Sequence, residues 1–365
     1  MRRNLVIVTS LGLSMALGVA QAQVPASTPT PEASAPRDYS GAIESLARKL
    51  ESSYVVPAIG ARYAAALRSG VASGAYAGIS DPAQIAKRLT EDLRAVQADG
   101  HLRVSVGGPM KLEDPGPGGP GPSPGSGPER RMRPMESGGG PPRPPAMEDA
   151  KWIADGVAYV KFNEFPGTPE SRAAIDAFMK DHASARALII DGRTHHGGSP
   201  ADIDALMPYL YAKPTVLVDM DMAQSVARTR GPPPGGELPS MKVLKAPEGI
   251  LRREHSVIPH PTEHGLFGAK VYYLISNRTG SAAEHLALAF KRTHRATLIG
   301  EHTAGANHFG GVEPLGDGLM AFIPVGRTFD PDTGLDWEGT GILPDVAVPA
   351  ADALTEALKL AGVKS

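Results

Sequence analysis

Residues 107–148 set the first limit on what this chain can fold into. Eleven glycines and twelve prolines fall in those 42 positions, with almost no aliphatic side chains. Such a segment cannot bury enough apolar surface to offset the entropy lost on ordering, so any core must lie on either side of it. We read 107–149 as a disordered Gly/Pro-rich linker, given a mild basic tint by Arg130, Arg131, Arg133 and Arg143. The full chain of 365 residues leaves room for one large domain or two modest ones. Its 37 basic and 39 acidic residues nearly cancel, which argues against nucleic acid as a partner. The absence of cysteine excludes disulfides, thiolate catalysis and cysteine-ligated metal centres.

Before the linker, Arg2 and Arg3 precede an apolar run from Leu5 to Ala20, and Ala20-Gln21-Ala22 supplies small residues for cleavage. This pattern predicts a signal peptide over 1–22 and export to the periplasm or the medium. Residues 23–38 read as a flexible leader. Over 39–106, Ile43, Leu46, Ala47 and Leu50 repeat at helical spacing, as do Ile59, Tyr63 and Leu67. A third helix is expected over Pro82–Gln97, with Asp81 as its N-cap. The result is a small all-α N-terminal domain. After 150, strand patterns alternate with helical ones through to 365, which predicts an α/β domain with a mostly parallel sheet and crossover helices. Residues 223–268 break that pattern and are expected to be irregular. No later stretch is long and apolar enough to span a bilayer.

Two strand-to-helix turns offer chemistry, because ligands gather at the C-terminal ends of strands in open α/β sheets. The first runs from Ile190-Asp191-Gly192-Arg193 to Gly197-Gly198-Ser199, where backbone N–H groups can receive an anion or oxyanion. Glycines that merely permit a tight turn explain the same residues. The second turn follows Leu274-Ile275-Ser276 and places Ser281 at a helix start, where its hydroxyl is exposed as a nucleophile would be. Ser281-Ala282-Ala283-Glu284 is equally a capping box.

In this order, and with Ala158-Tyr159-Val160, Ile299-Gly300-Glu301-His302-Thr303-Ala304-Gly305 and Trp337-Glu338-Gly339 through Pro344-Asp345, the turns resemble the tail-specific, or C-terminal processing, serine peptidases. Asp99-Gly100-His101-Leu102 resembles the branch related to interphotoreceptor retinoid-binding protein. The resemblance implies a ClpP/crotonase-like core and an exported serine endopeptidase that cleaves protein or peptide substrates. Ser281 would be the nucleophile, with Ala282 and Gly197 or Gly198 supplying oxyanion N–H groups. It implies no metal and no cofactor, and takes Asp191 and Arg193 as a structural pair.

Three departures qualify it. The processing branch carries its general-base lysine where this chain has Ala306. Tricorn protease, a relative, uses a histidine whose position here is Lys161, and a glutamate retained as Glu338. No PDZ-like domain separates the helical unit from the α/β domain. Lys161 is therefore the expected base, with His195, His196 and His308 as alternatives and Glu338 as the assisting acid. Ala306 also keeps open a catalytically silent protein that binds an apolar ligand or peptide in the same cleft. His255, His260, His264 and His302 are expected to be exposed loop histidines, since Pro261 breaks the helix that His260 and His264 would need to share a metal.

Overall fold

The computed structural model describes residues 37–107, 144–231 and 237–363. The expected signal peptide, nearly all of the leader and most of the linker lie outside the described residues.

In chain order the elements are α1 (Ser40–Ser53), α2 (Pro57–Ala72), α3 (Pro82–Val96), β1 (Arg103–Val106), β2 (Met147–Ala154), β3 (Val157–Phe162), α4 (Pro169–Asp181), β4 (Ala187–Asp191) and α5 (Pro200–Leu206). Then come β5 (Thr215–Ala223), α6 (Gln224–Arg230), β6 (Met241–Leu244), β7 (Ile250–Val257), β8 (Lys270–Ile275) and α7 (Ala282–Arg292). The chain closes with β9 (Thr297–Gly300), β10 (Phe309–Gly316), β11 (Leu319–Phe329), β12 (Val346–Ala347) and α8 (Ala353–Leu360).

The predicted parallel sheet is present, in the order β12-β9-β8-β4-β3-β2, with only the edge strand β2 antiparallel. All five residues of β4 are buried, as expected of a strand covered on both faces. β2 already begins at Met147, so the folded chain resumes slightly before the expected end of the linker.

A second sheet, wholly antiparallel, was not expected. Its order is β1-β11-β5-β7-β6, with β10 also pairing with β11. The region expected to be irregular holds α6, β6 and β7. β7 escapes a hydrophobicity reading because it reads Arg252-Arg253-Glu254-His255 at its centre. Arg252 is matched across the ladder, standing opposite Asp221 and pairing with it at 2.7 Å, while His255 bonds to Asp204 of α5 and His285 of α7.

The N-terminal helices pack onto this second sheet. Leu46 and Leu50 of α1, Leu67 of α2 and Leu89 of α3 share one apolar cluster with Ala321 and Ile323 of β11, while β1 adds a strand to β11. Asp81 caps α3 as predicted, accepting the Ala83 N–H at 2.8 Å. α7 touches β9 of one sheet and β5 of the other, and most of its residues are buried. That helix, with Ser281 at its start, is thus fixed between the layers. No helix among the described residues is long and apolar enough to cross a membrane.

Candidate active site

The two turns meet at the C-terminal ends of β4 and β8 and are stitched together by hydrogen bonds. Gly192 N–H donates to the Leu274 carbonyl (2.9 Å), Gly280 N–H to the His195 carbonyl (3.0 Å), and the Ser276 and Thr279 hydroxyls to the Arg193 and Gly192 carbonyls (2.6 and 2.8 Å). Asp191 and Arg193 anchor the first turn. The guanidinium grips the carboxylate at 2.7 and 3.0 Å, and the Tyr159 hydroxyl donates to it at 2.8 Å.

Ser281 has φ 55° and ψ −121°, a conformation that a non-glycine residue adopts at a strain of about 1–3 kcal/mol. A strained serine between a buried strand and a helix start is the geometry of a nucleophile elbow. The capping reading is also met in part, because the Glu284 carboxylate accepts the Ser281 N–H at 2.9 Å. Glu284 does more than cap. It also accepts the Thr303 hydroxyl (2.6 Å) and the N–H groups of Gly305 (2.7 Å) and Ala306 (2.9 Å), tying the helix that follows Ser281 to the 303–306 loop. Its burial pushes the carboxyl pKa up, a shift those hydrogen bonds only partly offset.

The expected oxyanion donors divide. Gly197 is buried and its N–H is spent on His195 Nδ1 at 3.0 Å. That contact makes Nδ1 the acceptor and leaves the hydrogen on Nε2. Complete burial holds the His195 pKa down to about 3, so the ring is neutral at ordinary pH. Gly198 is exposed, and neither its N–H nor that of Ala282 has a partner among the described residues. Both glycines are required: a Cβ on Gly197 (φ +107°) would lie 2.6 Å from Ser281 Cβ, and one on Gly198 (φ +128°) 2.1 Å from the Phe165 carbonyl oxygen.

Lys161, on β3, pairs with Glu148 at 2.8 Å. His196 is exposed and His195 is committed to Gly197. Sequence reasoning passed over His101 as a base. Its Nδ1 lies 3.0 Å from Glu338 Oε1, while Nε2 is buried with no hydrogen-bond partner among the described residues. Beside it, His308 Nδ1 contacts Asp99 Oδ2 at 2.9 Å. Glu338 holds the two pairs together by accepting the N–H groups of Gly100 (3.1 Å), Asn307 (2.9 Å) and His308 (2.8 Å). Residues 303–308 thus connect Glu284, below Ser281, to Glu338, below His101.

A profile of peptidase family S41 matches residues 156–348, more than half of the chain, and one of the N-terminal domain of that family in eukaryotic IRBP matches residues 36–129. The chain belongs to peptidase family S41. A curated relative, the chloroplastic carboxyl-terminal-processing peptidase 1 of Arabidopsis thaliana, is 35% identical over 94 residues, which are 26% of this chain and 19% of that protein. Among solved structures, the photosystem II D1 C-terminal processing protease is 22% identical with a TM-score of 0.38, over 53% of this chain and 42% of that one. A lipoprotein from Streptococcus agalactiae is 14% identical with a TM-score of 0.47, over 89% of this chain and 96% of that one.

The electrostatics of this S41 chain separate its two histidine–carboxylate pairs. Burial opposes ionisation of Asp99, but the hydrogen bond and charge of His308 outweigh it and hold the carboxyl at about 2. Burial likewise opposes charge on His308, and Asp99 outweighs it, so its pKa lies above the usual histidine value. Glu338 is lowered too, the contacts with His101 and His308 overcoming its burial. A depressed carboxylate pKa contributes stability that is present above 3.8 and is lost as pH falls through about 2. Wild type should therefore lose about 2 kcal/mol more than Asp99→Asn between pH 5 and pH 2, measured by urea unfolding.

Asp99, His101 and Glu338 also bring one potential metal ligand each within 4.8 Å of one another. Each carboxylate oxygen already accepts from two donors, those of Asp99 from His101 and Leu102 N–H and from Tyr54 and His308. A cation would have to break these bonds, so the arrangement suits proton transfer better than metal binding. Of the remaining histidines, His264 and His302 are exposed as expected, whereas His260 lies in a loop but is half-buried, stacked on Tyr209. His255 departs from expectation: it lies on β7 and is fully buried.

Proposed function

We propose that this protein is an exported serine-type endopeptidase acting on protein or peptide substrates, with Ser281 as nucleophile, His101 as general base and Glu338 as the group that orients it. The observation that carries the reading is the His101 ring, tied to a carboxylate through Nδ1 and presenting a buried Nε2 with no partner among the described residues. A base must be neutral to accept a proton, which counts against His308, whose pKa Asp99 raises. It also favours His101 over Lys161, which is engaged with Glu148. Ala306 then no longer argues for a silent binding protein, because the base comes from another segment.

The chemistry follows from these positions. Ser281 Oγ gives its proton to His101 Nε2 and bonds to the substrate carbonyl carbon. The resulting oxyanion is received by the Gly198 and Ala282 N–H groups. The imidazolium, stabilised by Glu338, protonates the departing amine as the C–N bond breaks, leaving an acyl-enzyme. Water, deprotonated by His101, releases the acid and restores the serine. Ser281 Oγ and His101 Nε2 share no hydrogen bond in the free protein, so substrate binding must bring them together, as is common for unliganded sites. The reading of residues 1–22 as a signal peptide supports export.

Purified wild type should hydrolyse casein or peptides and react with a fluorophosphonate. Ser281→Ala should lose labelling and at least about 10³-fold in turnover. A wild type that neither labels nor turns over would overturn the proposal.

A further inference from the structure

Two buried histidines and a half-buried aspartate outside the proposed catalytic set form one hydrogen-bonded chain. Asp204 Oδ1, on α5, lies 2.7 Å from His255 Nε2 on β7, and His255 Nδ1 lies 2.8 Å from His285 Nε2 on α7. The imidazoles meet edge to face with centroids 4.9 Å apart. His255 and His285 are both buried, and the Ser240 hydroxyl donates to the other oxygen of Asp204. A carboxylate acceptor requires a hydrogen on His255 Nε2, and the contact between the two rings is filled by one further proton. Each contact then has one proton, with neither a clash nor an unfilled site, and desolvation keeps His285 neutral.

What the chain joins gives it meaning. α5 begins immediately after Gly198 and Ser199, and α7 immediately after Ser281. His285 stands one turn beyond Ser281 and its own N–H donates to the Ser281 carbonyl at 3.0 Å. The helix behind one oxyanion donor is therefore tied, through β7 of the other sheet, to the helix behind the nucleophile and the second donor. Apolar contacts would hold these helices together without fixing orientation. Directional bonds between planar groups in a low-dielectric interior fix both distance and angle.

The geometry points to Asp204, His255 and His285 as positioning residues that set the separation between the Gly198 N–H and the Ser281–Ala282 turn, and hence the fit of the oxyanion. This rests on the peptidase reading above. Catalytic constellations tolerate displacements of only about 0.5 Å, so the effect should fall on the chemical step and not on substrate binding.

The test uses the full chain with Asp204→Ala, His285→Leu, the double variant and the conservative His285→Gln. Fluorophosphonate labelling, peptide kcat and KM, and amide hydrogen exchange over 195–206 and 280–292 are measured. Each single truncation should slow labelling and lower kcat by about 10–100-fold with KM within about 3-fold, and the double should be no slower than the worse single, because the members act as a unit. His285→Gln, which keeps a side-chain donor, should recover most of the rate. Asp204→Ala should also speed exchange near Ser281, on the helix it does not belong to. Additive losses, unchanged labelling or a KM that moves with kcat would overturn the inference. If wild type itself is inert, the peptidase reading fails, and exchange alone decides. A rise at 280–292 in Asp204→Ala sustains the brace, and no rise removes it.

Discussion

Replacing His101 with alanine should lower kcat/KM by about 10³-fold or more, while Lys161→Ala leaves it within about 3-fold. On the proposed mechanism Ser281 without His101 loses the acceptor for its proton, and Glu338 is left buried without the ring it contacts. Lys161 belongs to an ion pair with Glu148, whose side chain is about two-fifths exposed, and such pairs contribute little. His308→Ala distinguishes support from catalysis. It removes the partner of Asp99 and should lower stability at neutral pH, yet leave measurable labelling of Ser281. Fluorophosphonate labelling and steady-state kinetics on the three variants check this directly. A His101→Ala enzyme of near-normal rate would return the base to Lys161 or another histidine.

Glu284→Ala should be the most destabilising single change near the site, by about 3–5 kcal/mol in urea unfolding. The carboxylate is wholly buried and accepts four donors, from Ser281, Thr303, Gly305 and Ala306. Truncation leaves those donors unsatisfied and frees the strained Ser281 turn, so labelling should fall with stability. Glu284→Gln does not rescue it, because its NH2 group would face N–H donors. A loss below about 1 kcal/mol would show that water or local rearrangement replaces the carboxylate.

The contrast between Glu284 and His101 shows where sequence reading reaches and where it stops. Ser281-Ala282-Ala283-Glu284 announces a helix start, and the capping bond to the Ser281 N–H is the local interaction that the pattern encodes. Its three bonds to the 303–306 loop join segments about twenty residues apart and have no local signature. His101 stood within a recognised run, Asp99-Gly100-His101-Leu102, but its partner Glu338 lies 237 residues away. No spacing rule connects such positions. The histidine beside a glycine at the end of a helical segment was the available signal, and it became a candidate only once the carboxylate was beside it. β7 was missed for a related reason. Its central residues are polar, and partners such as Asp221 for Arg252 and Asp204 and His285 for His255 come only from other elements of the fold.

The amino-acid sequence by itself determined what depends on near neighbours. That covers the apolar stripes of α1–α3, the buried β4 and β8, the glycines that only a turn as tight as 197–198 demands, and the serine at a helix start. Tertiary structure alone decided that His101 meets Glu338, that the Gly197 N–H is taken by His195 while that of Gly198 has no partner among the described residues, and that a second, antiparallel sheet seats the N-terminal helices. Those outcomes rest on directional bonds between groups far apart in the chain, and their geometry exists only after the layers have packed.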